Sequence, residues 1–129
     1  MKRTILCRNA TTFARNGDID EDAFRAFMQR FVDADVGVYI GTAGSGESHA
    51  LSRDELFRLY SIGVEVCRGK VPVNANPPEQ HTAKATLEQT LVAAKAGVDV
   101  VNIYGPAAGT ATSRPSRSSW ISLRTSCRR

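Results

Sequence analysis

The residues best suited to chemistry lie in one glycine-rich stretch, GTAGSGE at residues 41 to 47. Glycines at 41, 44 and 46 let a ligand approach the backbone closely enough to meet main-chain N–H groups. Thr42 and Ser45 add two hydroxyls, and Glu47 adds a carboxylate. If the chain has a ligand site, we expect it to begin at this loop.

A buried strand must position the loop from its N-terminal side. Residues 36 to 40 are β-branched, aromatic or glycine, and their nearly unbroken hydrophobicity predicts a strand covered on both faces, as in a parallel sheet. On the other side, Ser52 and Glu55 have the spacing of a capping box, which predicts a helix from there to about Cys67. The loop therefore connects a strand to a helix.

Further strands and helices alternate along the chain. We expect strands at residues 4–7, 71–73 and 98–104, and helices over 21–34, capped by Asp18 or Asp20, and from about Thr82 to Gly97. Apolar residues recur at helical spacing in three sets: Phe24, Phe27, Met28, Phe31 and Val32; Leu56, Leu59, Tyr60, Val64 and Cys67; and Leu87, Leu91 and Ala94 with Lys95. The order β-α-β-α-β-α-β predicts a parallel α/β sheet with helical crossovers.

Two parallel folds place a glycine-rich loop after a strand. A dinucleotide-binding fold would need GxGxxG running directly into a helix, but here Gly44 and Gly46 are not followed by a third glycine at the required offset. A (β/α)8 TIM barrel gathers its strand-end loops on one face, which would bring Ser45 to His49, Asn74 to Asn76 and Tyr104 together. Such a barrel needs about 250 residues, and the chain has 129.

Composition narrows the class of protein. The chain is 42% hydrophobic and 23% charged, has no apolar run approaching the roughly 20 residues of a membrane span, and does not begin with a signal-peptide pattern. Cys7, Cys67 and Cys127 are widely spaced and suit unpaired thiols in a reducing compartment. His49 and His81 lack metal-ligand spacing. We expect a cytoplasmic protein with no membrane segment, metal or cofactor.

The basic charge is concentrated in the last 20 residues. Residues 110–129 hold five of the 17 basic residues and no acid, which leaves 12 basic and 13 acidic residues, a net charge of −1, in residues 1–109. We therefore divide the chain into a partial barrel domain, 1–109, and an irregular basic tail, 110–129.

Two interpretations of the tail remain open. It could be a basic arm that makes the chain a small nucleic-acid or acidic-partner binding module, with binding that salt weakens. Alternatively, it is a shifted reading frame, because synonymous codons in another frame can spell an amphipathic helix of the kind a barrel needs next. We favour the second interpretation and expect no nucleic-acid partner; the coding DNA at Gly109 and Thr110 would decide.

Across residues 4–109 the sequence resembles the dihydrodipicolinate synthase and N-acetylneuraminate lyase family of class I Schiff-base aldolases. The matching pieces, in order, are NATTF at 9–13 with NGDID at 16–20, GSGE at 44–47, LSRDE at 51–55, KVPV at 70–73, and AGVDVV at 96–101 ending in Tyr104. The resemblance implies the N-terminal part of a (β/α)8 TIM barrel, truncated after about four strands and three helices.

The resemblance also implies the chemistry. Family members form an imine between a barrel lysine and pyruvate or another 2-keto acid, and the imine acts as an electron sink for carbon–carbon or carbon–oxygen bond making and breaking. They need no metal or other cofactor, and full-length members are expected to form homo-oligomers.

Family roles can be transferred to six positions. Gly44, Ser45 and Gly46 would bind the substrate carboxylate, and Thr42 would support the loop. Glu47 would also support the loop and would not bind substrate, because an acid beside a bound carboxylate would repel it. Tyr104 is the candidate catalytic residue, although Gly105 stands where the family doubles its tyrosine. The imine lysine lies on a later strand that the chain does not reach, so we expect this chain to be inactive alone.

Overall fold

The computed structural model of the chain describes residues 5–104 and the backbone of one further strand. Its elements are β1 (Leu6–Arg8), α1 (Glu21–Asp33), β2 (Gly37–Ile40), α2 (Arg53–Cys67), β3 (Val73–Ala75), α3 (Ala83–Ala96), β4 (Val100–Asn102) and β5 (Ser122–Arg124). Strands β1 to β4 are parallel and lie side by side in chain order. The predicted α/β class and order of elements are confirmed.

The fifth strand was not predicted. β5 pairs antiparallel with β4, with Ser122 opposite Asn102. The tail sequence has no strand pattern here, and the pairing comes from the open edge of β4, which offers unpaired backbone groups to any extended segment. Residues 105–121 and 125–129 lie outside the described residues, so the domain boundary, the basic arm and the shifted frame stay predictions.

The strands begin later than the apolar pattern suggested. β3 covers Val73–Ala75 instead of 71–73, because Pro72 has no N–H to give to the sheet and the Val71 N–H donates to the Cys67 carbonyl at the end of α2. β1 is likewise shifted to Leu6–Arg8, and β4 is shortened to Val100–Asn102. As a consequence Asn74, which the sequence placed in a loop, is a strand residue.

The predicted helix ends are confirmed. Asp20, not Asp18, caps α1, since its side chain accepts the Ala23 N–H at 2.9 Å. Ser52 and Glu55 form the complete capping box of α2, and this bonding lowers the pKa of the Glu55 carboxyl. Gly97 ends α3 in the left-handed conformation, with φ of 85°.

The core lies between the three helices and one face of the sheet. Phe24 and Met28 of α1 and the whole predicted face of α2 are buried there. The sheet contributes alternate residues: Val38 and Ile40 from β2, Val73 and Ala75 from β3, and Val101 from β4. α2 packs on both α1 and α3 and is the central helix.

The face of α3 that packs inward differs from the predicted register. Thr90 and Ala93 are its buried residues, whereas Leu87 and Leu91 are 57% and 47% exposed. Small residues let α3 approach α2 closely, and the leucines then lie on its other side. Among the described residues no further helix follows to cover them.

Ion pairs join the three helices at the surface. Arg58 of α2 binds Glu21 of α1 through two 2.6 Å hydrogen bonds. Arg25–Glu65 joins the same two helices, and Arg53–Glu88 joins α2 to α3. The hydrogen bond from Arg58 is the main reason why the pKa of Glu21 is lowered.

The Glu21 pair should make stability depend on pH. Because its pKa is lower in the folded chain than the ordinary 4.5, the pair stabilises the fold above that value and loses its effect as pH falls through the folded pKa. We expect Glu21→Gln to lower the melting temperature at pH 7 in low salt but not at pH 2.5. Melting curves at both pH values measure this, with Asp22→Asn as the control. An equal effect of Glu21→Gln at both pH values would contradict the pairing.

Two findings bear on the kind of site the chain can hold. No helix in the described part of the chain is long and apolar enough to cross a membrane. Within those same residues, no cluster of three or more His, Cys, Asp or Glu side chains could hold a metal ion.

Cys67 is buried, which raises the pKa of its thiol to about 11, and the thiol therefore stays protonated at neutral pH.

Candidate functional site

The candidate residues meet at one edge of the sheet. The 41–47 loop follows β2, Asn76 follows β3, and Tyr104 follows β4. Since these strands are parallel, their carboxyl ends lie at the same edge, which is where open and closed α/β sheets bind ligands. The topology therefore gathers the residues that the sequence singled out.

Thr42 holds the loop in shape from within. Its buried hydroxyl accepts the Gly46 N–H at 3.1 Å and lies 2.9 Å from the Ser45 hydroxyl. Its carbonyl accepts the Ser48 N–H. These contacts are the geometry of a loop support, the role expected of Thr42.

Gly46 lies inside the loop and not on its surface. A Cβ atom at this position would lie 2.7 Å from the Thr42 nitrogen and 2.8 Å from the Thr42 oxygen. Its carbonyl accepts a 2.7 Å hydrogen bond from the Thr11 hydroxyl, which ties the loop to the segment after β1. Because the Gly46 N–H already donates to Thr42, a carboxylate would have to compete for it.

Gly44 and Ser45 form the exposed tip of the loop. Among the described residues, neither of their backbone N–H groups has a hydrogen-bond acceptor. No atom lies within 4 Å of a Cβ built at Gly44, so the space above it is open. An arriving anion would meet two N–H groups and the Ser45 hydroxyl here.

Glu47 supports the loop through its backbone. It adopts the left-handed conformation with φ of 50°, its N–H donates to the Gly44 carbonyl, and its carbonyl accepts from Ala50. The residue is exposed, and its carboxylate makes no hydrogen bond to any other described residue. The backbone of Glu47 thus takes part in the loop, and a supporting role for its carboxylate stays a prediction.

Tyr60 packs beneath the start of the loop. A Cβ at Gly41 would lie 2.6 Å from its hydroxyl, which is buried and has no hydrogen-bond partner in the described part of the chain. Burial raises the pKa of Tyr60, so the phenol is neutral.

Tyr104 is held by a second tyrosine that sequence reasoning missed. The hydroxyls of Tyr39 and Tyr104 are 3.1 Å apart. Burial, and then the hydrogen bond to Tyr104, raise the pKa of Tyr39, so the Tyr39 phenol is protonated at neutral pH. The signal was strand alternation: Val38 and Ile40 enter the core, so Tyr39 lies on the opposite face, which we call the inner face.

Asparagine side chains complete this edge. Asn76, which is buried, donates from its side chain to the Asn102 carbonyl at 3.1 Å, and its backbone N–H donates to Ile40. The ends of β2, β3 and β4 are thereby fixed relative to one another beneath Tyr104. The site is thus a surface lined by hydroxyl and amide groups at the carboxyl ends of β2, β3 and β4, which we call the wall.

Among the described residues, no lysine makes a hydrogen bond or an ion pair with this wall. Lys70 precedes β3, at the opposite edge of the sheet, and donates to the Val66 carbonyl. Lys84 and Lys95 are exposed on α3.

Sequence comparison identifies relatives over most of the chain. The profile of the dihydrodipicolinate synthetase family matches residues 1–107. A 4-hydroxy-tetrahydrodipicolinate synthase from Brucella abortus is 36% identical over 96 residues, which are 74% of this chain and 32% of that protein. The chain spans about a third of the length of such relatives.

Solved structures agree with this result. Dihydrodipicolinate synthase DapA-2 from Bacillus anthracis is 28% identical, with a TM-score of 0.69 over 76% of this chain and 34% of that one. YagE, a prophage protein of the dihydrodipicolinic acid synthase family from E. coli K12 in complex with pyruvate, is 25% identical, with a TM-score of 0.68 over 78% and 35%. The α/β fold described above resembles the N-terminal part of these TIM barrels.

Proposed function

Because this chain belongs to the dihydrodipicolinate synthetase family, we propose that its 41–47 loop holds the carboxylate of pyruvate or a related 2-keto acid. The observation that carries the proposal is the exposed tip of the loop. There the N–H groups of Gly44 and Ser45 have no acceptor among the described residues, and the Ser45 hydroxyl, which contacts the Thr42 hydroxyl, belongs to an exposed residue. Pyruvate bound to YagE supports the choice of ligand.

The wall would serve a Schiff-base lyase or aldolase. The loop would donate hydrogen bonds to the carboxylate and orient the keto carbon toward a lysine amine. The amine adds to the carbonyl, and loss of the carbonyl oxygen as water gives the imine. The Tyr104 hydroxyl, oriented by Tyr39, would carry a proton to or from the reacting oxygen. This assigns binding to Gly44 and Ser45, loop support to Thr42 and Gly46, and proton transfer to Tyr104.

The chain supplies only part of this chemistry. Its described lysines lie away from the wall, and the relatives extend over about three times the matched length. We therefore propose that residues 1–109 bind and orient the substrate, and that the imine lysine belongs to a part of the barrel outside them. Homo-oligomer formation stays a prediction for the longer family members.

Titration of the ¹⁵N-labelled chain with pyruvate tests the loop. We expect shifts of the Gly44 and Ser45 amide signals, and about tenfold weaker binding in Ser45→Ala, because a hydrogen bond to a charged group is lost. Acetone, which has no carboxylate, should give no such shifts. Ser61→Ala, whose hydroxyl bonds the Phe57 carbonyl on α2, is the matched control. Shifts spread over the surface, or a Ser45→Ala variant that binds as the wild type does, would refute the assignment.

Borohydride trapping tests the missing nucleophile. Incubation with pyruvate and sodium borohydride followed by mass spectrometry should show no reduced pyruvyl adduct, since no described lysine makes a hydrogen bond or an ion pair with the wall. A full-length family member under identical conditions is the positive control. An adduct on Lys70, Lys84 or Lys95 that a Ser45→Ala substitution abolished would overturn the proposal that the chain lacks its nucleophile.

A further inference from the structure

One row of the inner face carries three polar side chains from three neighbouring strands. Arg8 of β1 pairs with Tyr39 of β2, which pairs with Asn74 of β3. Residues paired in a parallel sheet project to the same face. The row of Leu6, Gly37 and Pro72, two residues earlier, shows this directly, because a Cβ at Gly37 would lie within 2.8 Å of both neighbouring side chains.

Arg8 brings an uncompensated positive charge to this row. The three ion pairs among the described residues engage Arg25, Arg53 and Arg58, and none engages Arg8. Its charge acts on Tyr39, where it opposes the rise in pKa that burial causes. Because Arg8 is paired with Tyr39 on the adjacent strand, its guanidinium can favour negative charge on this face.

The other two groups also suit an anion. Asn74 is buried, and its side-chain amide has no hydrogen-bond partner among the described residues. Tyr39 contributes a hydroxyl, which also contacts the Tyr104 hydroxyl and the Asn102 side chain. A guanidinium, a hydroxyl and an amide N–H on one face are the donors that bind a carboxylate, and the guanidinium can bind it through two parallel hydrogen bonds. Barrel interiors are more often filled by branched apolar side chains, so this row departs from a packing role.

We propose that Arg8, Tyr39 and Asn74 bind a second carboxylate, and that the site therefore prefers a dicarboxylic 2-keto acid to pyruvate. The inference rests on the proposed function, because the first carboxylate occupies the 41–47 loop. Tyr39 lies two residues before Gly41, or about 7 Å along the strand, so the second subsite is the next layer of the inner face beneath the loop.

Parallel titrations of the ¹⁵N-labelled 129-residue chain with 2-oxoglutarate and pyruvate test the inference. We expect 2-oxoglutarate to bind about tenfold more tightly, which corresponds to about 1.4 kcal/mol. Arg8→Met should remove this advantage without changing the affinity for pyruvate, and Tyr39→Phe should reduce it. Arg15→Met, which removes an exposed arginine from the turn before α1, is the matched control.

Each outcome has a definite meaning. Equal affinities for the two acids, or an advantage that survives Arg8→Met, would overturn the second subsite and leave the proposed function intact. Binding of neither acid would overturn both. If Arg8→Met does not give the amide spectrum of a folded chain, Tyr39→Phe decides, because it removes one hydroxyl and keeps the ring: an undiminished advantage in that variant would refute the inference.

Discussion

Replacing Gly46 with alanine is expected to lower the free energy of unfolding by about 1–3 kcal/mol, the usual effect of forcing a methyl group into a packed position. The new Cβ would lie 2.7 Å from the Thr42 nitrogen and 2.8 Å from its oxygen. These are backbone atoms, so relief requires the loop itself to move. The shift would break the hydrogen bond from the Gly46 N–H to Thr42 and misplace Ser45. Urea unfolding followed by circular dichroism measures the stability.

Gly44→Ala, two residues away, is the matched control. A Cβ there meets no atom within 4 Å, and the backbone does not require glycine. We expect its stability to equal that of the wild type within about 0.5 kcal/mol. If both variants lose the same stability, the loop does not have the internal packing described here. Gly44→Ser should likewise fold normally.

Leu59→Ala is expected to destabilise the chain by about 2–5 kcal/mol. Leu59 is 0% exposed and lies on the central helix α2, which packs on α1, α3 and the sheet. Its truncation leaves a cavity that helices held on several sides cannot close. For a domain of this size the loss is a large fraction of the total stability, about 5–15 kcal/mol. Denaturant unfolding monitored by far-ultraviolet circular dichroism measures it.

Leu91→Ala makes the same chemical change on the next helix. Leu91 is 47% exposed on the uncovered side of α3, so we expect a loss below about 0.5 kcal/mol. Size-exclusion chromatography adds a second readout, since removing an exposed leucine should reduce self-association. A loss comparable to that of Leu59→Ala would mean that α3 presents its leucines to the core, contrary to the structure.

Local sequence signals predicted most of the fold. The unbroken apolar run of β2 predicted burial on both faces, and all four of its residues are buried. The Ser52 and Glu55 capping box fixed the start of α2. Each of these features is decided within a few residues, by periodicity or by one side chain meeting a nearby backbone group, and such interactions can be recognised without knowing the rest of the structure.

The features that sequence reasoning missed depend on pairing between distant residues. Tyr39 was assigned only as a strand residue, and its bond to Tyr104 joins positions 65 residues apart. The buried side of α3 was missed because the size of Thr90 and Ala93 matters only once α2 is beside them. Thr11 reaches Gly46 across 35 residues. In each case the contact depends on how neighbouring strands or helices are aligned, and the spacing of residues along one segment does not specify that alignment.

The side-by-side order of β1 to β4 has a consequence for how the chain folds. Every described parallel pairing joins consecutive strands, and α2 packs between its two neighbours in the chain. None of these pairings spans more than one βα unit, as in repeat proteins, where each unit stabilises the next. We expect the chain to gain structure one βα unit at a time as it leaves the ribosome. β1 and α1 should become stable as soon as β2 and α2 have been synthesised, because these are the elements they pack against.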